Sequence, residues 1–260
     1  MQHPDALVAV MMFTFMGLIL FTLWWARRGK TIFIRRIPGI SAIEEAVGRA
    51  TEMGQPVVFA MGLSDIKQVV THISLAVLSY VARLAARLRT SIITAVPVPD
   101  VYPFAEETVR EAFKTEGALD EFDADKQVIY TSPNSIVSAM TVARIIEEQQ
   151  AGCALFVGGF DFASLLMAEP GAQAGVIQIA ADPGLGQIPF FVCTCDYTII
   201  GEEYFAGGAY VSPDPSTRGT LRAQDIVKAI FVAMILFGLI CYHLDLPFAQ
   251  RVVEHFKHYR

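Results

Sequence analysis

Residues 6–26 are twenty-one consecutive positions without a charged side chain, ALVAVMMFTFMGLILFTLWWA, closed by Arg27 and Arg28. At about 1.5 Å of rise per residue, a helix of this length spans roughly 30 Å, the thickness of a hydrocarbon core. Trp24 and Trp25 fall at its end, where amphipathic rings sit at headgroup level. The run is longer than a signal-peptide core, no basic residue precedes it, and no small-x-small pattern closes it. A membrane helix within residues 1–28 is therefore expected rather than a cleaved leader. A second apolar run, residues 229–244, lies between Lys228 and Asp245. Its sixteen uncharged positions are short for a span, and Ile226 and Val227 lengthen it if Lys228 snorkels to the interface. A second transmembrane helix over 220–245 is expected, with a buried or interfacial helix as the alternative. Beyond it, Phe248, Val252, Val253 and Phe256 share one helical face, so residues 246–260 read as an amphipathic tail on the membrane surface or as a frayed end.

Charge sets the orientation. Arg27, Arg28, Lys30, Arg35 and Arg36 follow the first run and no basic residue precedes it, which places the N-terminus outside and the following domain in the cytoplasm, at an inner or plasma membrane. The same collar, with Trp24 and Trp25, forms the expected contact with the bilayer. Residues 37–225 carry 23 acidic and 11 basic side chains, a net of −12. That surface argues against nucleic acid as a partner, because phosphate binding requires positive charge. The four cysteines, Cys153, Cys193, Cys195 and Cys241, have no spacing that favours a disulfide and suit a reducing compartment.

Between the ends, residues 29–219, short apolar runs alternate with helical patterns. Strands are expected at 56–61 (PVVFAM), 91–96 (SIITAV), 127–131 (QVIYT), 153–157 (CALFV), 176–180 (VIQIA) and 188–194 (IPFFVCT). Helices are expected at 41–53, 64–89, 102–116, 134–150, from Asp161, and at 197–211. Ser41 and Glu44 have capping-box spacing. Strands this apolar are buried on both faces, so the fold class is α/β: a doubly wound, mostly parallel, Rossmann-like sheet of five or six strands with helices on both faces, flanked by transmembrane helices. The stretch VVTHISLAVLSYVA, 69–82, is apolar nearly all round and reads as a buried helix between two strands rather than a third span. SPDPSTRG, 212–219, reads as the linker to the second apolar run.

In such sheets ligands bind beyond the carboxyl ends of the strands. Ser64, Asp65, Thr131, Ser132, Asn134, Asp161 and Asp182 fall there by sequence, as do the glycine turn Gly158–Gly159 and the pair Gly184 and Gly186. Each polar residue is also an ordinary cap or turn former, and neither glycine turn completes a dinucleotide fingerprint or a phosphate-binding loop. Cys193 and Cys195 lack the second ligand pair a metal requires, and His72 is the only histidine of the middle segment. Glu202 and Glu203 diverge by about 100° on a helix. No catalytic set and no metal site is expected, and the residues name no cofactor. Gly201, Ala206, Gly207, Gly208 and Ala209 leave one helix slim enough for close packing.

Two stretches, IPGISAIEEAVGRATEMGQPVVF (37–59) and IPFFVCTCDYTIIGEEYFAGGAYVS (188–212), together with the flanking apolar runs, resemble an uncharacterised family of prokaryotic membrane-anchored α/β proteins, a domain of unknown function. The resemblance covers most of the chain, implies a membrane location and carries no catalytic residues. The expected function is a membrane-anchored scaffold or assembly component that associates with itself or with a membrane complex. The alternative is an enzyme or sensor that binds a small anionic ligand or nucleotide at the carboxyl edge of the sheet.

Overall fold

The computed structural model describes residues 38–211 and 215–243, together with residues 13, 16, 17, 20 and 21. The chain divides into a compact unit of residues 34–213 and a second unit formed by residues 1–33 and 214–260.

The compact unit is a six-stranded sheet in the order β3-β2-β1-β4-β5-β6, with every neighbouring pair parallel. The strands are β1 (Val57–Met61), β2 (Ile92–Val96), β3 (Val128–Tyr130), β4 (Cys153–Val157), β5 (Ile177–Asp182) and β6 (Tyr197–Ile200). All residues of β1, β2 and β4 are buried. This explains their unbroken apolar sequences: a strand covered on both faces has no solvent side to mark with polar residues.

Helices cover both faces. On one lie α1 (Pro38–Glu52), α2 (Val69–Arg87) and α3 (Tyr102–Thr115). On the other lies α5 (Ser135–Glu148), after the single turn α4 (Ala124–Gln127), and then α6 (Ser164–Gln173) and α7 (Ile188–Thr194). The last helix of the unit, α8 (Glu202–Val211), returns to the first layer and packs on α2. Its slimness has a use there. A Cβ at Gly208 would stand 2.7 Å from Ile73 Cγ2, and one at Gly207 would stand 3.1 Å from Ile40 Cδ1.

Val69–Arg87 is, among the described residues, the helix long and apolar enough to cross a membrane. Here it is the crossover between β1 and β2, packed on α3 and α8, with Val77, Leu78, Val81, Ala82, Ala85 and Ala86 buried. The expectation of a buried helix is met.

Several boundaries differ from those read in the sequence. IPFFVCT is helix α7, not a strand; Pro189 stands in its first turn, and Ile188 and Phe191 point inward with helical spacing. The sixth strand is the next segment, Tyr197–Ile200, which the sequence reading absorbed into a helix; Gly201, at φ +56°, ends it and lets α8 begin. Helix α1 starts at Pro38, so Ser41 lies within it and caps nothing. Glu44 accepts a 2.5 Å hydrogen bond from the Tyr80 hydroxyl. Residues 215–219 of the expected linker belong to a further helix, α9 (Pro215–His243). Its described apolar side chains from Ile230 to Ile240 are exposed. Trp24, Trp25, Arg27, Arg28, Lys30 and the tail 246–260 lie outside the described residues.

Candidate functional site

The order 3-2-1-4-5-6 reverses its winding between β1 and β4, and beyond their carboxyl ends such sheets open the crevice that holds a ligand. Here the crevice is shut. The strands stay in step past their last residues: the Gly62 amide donates to the Val157 carbonyl at 3.1 Å, and the Leu63 amide donates to the Gly159 carbonyl at 2.9 Å. Contact is that close because two side chains are missing. A Cβ on Gly62 would lie 2.5 Å from the backbone N and O of Gly159, and one on Gly158 would lie 2.7 Å from Gly62 Cα. Gly158 also has φ +142°, a conformation that favours glycine.

The sequence-derived candidates do gather at this edge. Ser64 faces Gly159, where an added Cβ would meet the Ser64 hydroxyl at 2.8 Å. The carbonyls of Ser64 and Asp65 both accept from the Thr71 hydroxyl, at 2.9 and 2.6 Å. Asn134 caps α5 by accepting from the amides of Ile136 and Val137, and Ser132 accepts from the Asn134 amide. Thr131 bonds the Ser138 hydroxyl at 2.9 Å. These contacts are local structure. Asp161 lies on the rim, where it lines a cavity of about 20 Å³ with Leu63, Ser135, Ser138, Phe160 and Ser164. That volume suits one water molecule. Larger hollows, of about 290 and 430 Å³, open at the opposite edge of the sheet, beside Arg49 and Asp196 and beside Arg89 and Gln149.

Asp182 is the most perturbed of the candidates. It is 1 % exposed at the end of β5. One oxygen accepts from the Gly184 amide at 2.7 Å and the other from the Phe160 amide at 3.2 Å. Burial pushes its carboxyl up to about 6; the two amides pull against that shift, and nearby Asp161 adds to it. Asp182 thereby ties the β4–α6 turn to the β5–α7 turn. Gln187 extends the tie by accepting from the Ser164 hydroxyl at 2.6 Å.

Two buried polar residues escaped the sequence reading. The Ser74 hydroxyl on α2 lies 3.1 Å from the Val157 carbonyl and pairs with the Tyr204 hydroxyl at 2.8 Å. Tyr204 in turn donates to the Val70 carbonyl at 2.7 Å. Burial raises its phenol above the ordinary tyrosine range. The cluster pins α8 and α2 to the end of β4. Its members lie 130 residues apart in sequence, and no short motif announces it. Cys153 and Cys195 are free thiols that burial pushes up to about 12, which leaves them protonated and unreactive at neutral pH. Among the described residues no three His, Cys, Asp or Glu side chains group as a metal site would need.

The fold and its sealed edge define a doubly wound α/β unit whose switch-point residues bind one another. A family model described as a domain of unknown function, DUF6754, matches residues 2–253, and the chain belongs to that family. No curated protein and no solved structure matches it.

Proposed function

We propose that this protein is a membrane-anchored scaffold or assembly component whose cytoplasmic α/β unit works through its surface rather than through a bound ligand. The observation that carries this reading is the sealed switch point. Backbone contact among Gly62, Gly158 and Gly159 holds the turns after β1 and β4 together at this point, and Thr131, Asn134 and Ser138 beside it are engaged in caps and turns. The two terminal runs support the anchoring. The second of them lies in α9, whose described apolar side chains are exposed as they would be against lipid. The free cysteines suit the cytoplasmic side.

The test has two arms. Centrifugation of lysate without detergent is expected to leave the full chain in the membrane pellet. Thermal unfolding of the detergent-extracted protein is expected to be unchanged by millimolar nucleotides and phosphorylated metabolites, since a ligand that binds only the folded state raises the melting point. Protein in the supernatant overturns the anchoring. A shift of several degrees with one ligand class favours instead the enzyme or sensor reading at the carboxyl edge.

A further inference from the structure

The surface through which the unit works can be named, on the reading just given. The layer of α5, α6 and α7 is apolar on its outer side near the carboxyl edge. Ile136, Val137 and Met140 stand out from the first turns of α5, Phe162 and Leu166 from the start of α6, and Leu185 from the turn before α7. Each is between 42 and 75 % exposed. At about 200 Å² per large side chain, these six present on the order of 700 Å². A monomer's largest apolar patch is about 300–600 Å², and a stable interface takes about 800 Å² from each partner. The three helices are neighbours, with α6 packed on both α5 and α7, which sets the six along one layer of the sheet as a belt.

Charge selects the occupant. In the stretches 135–140, 160–166 and 183–187 that carry the belt, Asp161 is the one charged residue. A lipid-facing patch draws on lysine and arginine to meet anionic headgroups, and the belt has neither. A patch with a single charged residue can oppose its own copy with no more than one pair of like charges to keep apart, which a two-fold, self-complementary contact accommodates. Anchoring confines copies to one plane and raises their effective concentration. We infer that this belt is a self-association surface, filled by the same belt of a second copy of this chain.

The experiment uses the full chain. A photoreactive benzoylphenylalanine in place of Phe162, activated in native membranes, is expected to yield a covalent homodimer; the same probe in place of Phe104, on the outside of α3, is expected to yield none. Native mass spectrometry in nanodiscs is expected to show a dimer or larger homo-oligomer for the wild type, and a shift to monomer of tenfold or more for Phe162→Glu/Leu185→Glu, with an unchanged circular dichroism spectrum. A wild-type monomer, a variant that keeps the wild-type stoichiometry, or capture from position 162 of lipid or of a different protein overturns the inference. Capture of a different protein, with the chain still in the membrane pellet and indifferent to nucleotides, leaves the scaffold reading standing and removes only the second copy as occupant.

Discussion

The two helical layers of this sheet are built to different ends. The layer of α1, α2, α3 and α8 is closed: glycines let α8 sit against Ile40 and Ile73, Tyr204 and Ser74 lock it to β4, and its rim is laced with ion pairs such as Arg110–Glu106 and Arg87–Glu116. The layer of α5, α6 and α7 packs one row of side chains inward, around Phe156 and Phe191, whose rings stack at 5.8 Å, and leaves an apolar belt facing out. Both layers bury enough apolar surface to hold the sheet. The difference lies in the outer side near the carboxyl edge: one layer spends it on tight packing, and the other leaves it apolar, as the inferred contact would require.

Substitutions can break or sharpen that contrast. The largest effect is expected from Gly208→Leu in the closed layer. Its side chain would drive into Ile73, 2.7 Å from the position of the new Cβ, and overpacking of this kind costs about 3 kcal/mol; a drop of many degrees in melting temperature, or loss of folded protein, checks it. Next comes pH. The Asp182 carboxyl is held above its ordinary value, so the folded state binds the proton more tightly than the unfolded chain does. The stability this confers is full below about pH 4 and is lost as pH rises through about 6, a fall on the order of 2–3 kcal/mol. Asp182→Asn is expected to flatten that slope, measured as melting temperature against pH from 4 to 7.

Tyr204→Phe is expected to cost about 1–2 kcal/mol, since it removes the hydroxyl that donates to the Val70 carbonyl in part-buried surroundings and pairs with buried Ser74. The smallest effect belongs to the open layer: Met140→Ser changes an exposed side chain and is expected to move the stability of the isolated monomer by less than about 0.5 kcal/mol. If Met140→Ser were as costly to the monomer as Tyr204→Phe, the two layers would not differ as described.

Much of this was legible in the residues. Strands as apolar as VVFAM and CALFV, spaced by helical segments, leave little besides a parallel sheet covered on both sides, and the six-stranded sheet agrees. Residues 188–211 were harder. Phe190, Phe191 and Val192 carry strand propensity, yet Pro189 in the first turn and the inward pair Ile188 and Phe191 make a helix; tertiary packing overrode propensity. Tyr197–Ile200 is four residues long and at the sheet edge, too short to show a period before Gly201 turns the chain. At the candidate site, the edge on which Ser64, Asn134, Gly158 and Asp182 would meet followed from topology alone. That Asp182 ties two turns together, and that Ser74 meets Tyr204, did not, because both depend on contacts between residues far apart in sequence.

The glycines at the centre of the sheet carry one more implication. Where the winding changes direction, most sheets of this topology part like lips and leave a mouth for a guest. This one is stitched shut by amide hydrogen bonds that run a step beyond the strands, and the stitching holds only while no methyl group intrudes at residues 62 or 158. A single alanine at residue 62 or 158 would force the two backbones apart and prise the seam.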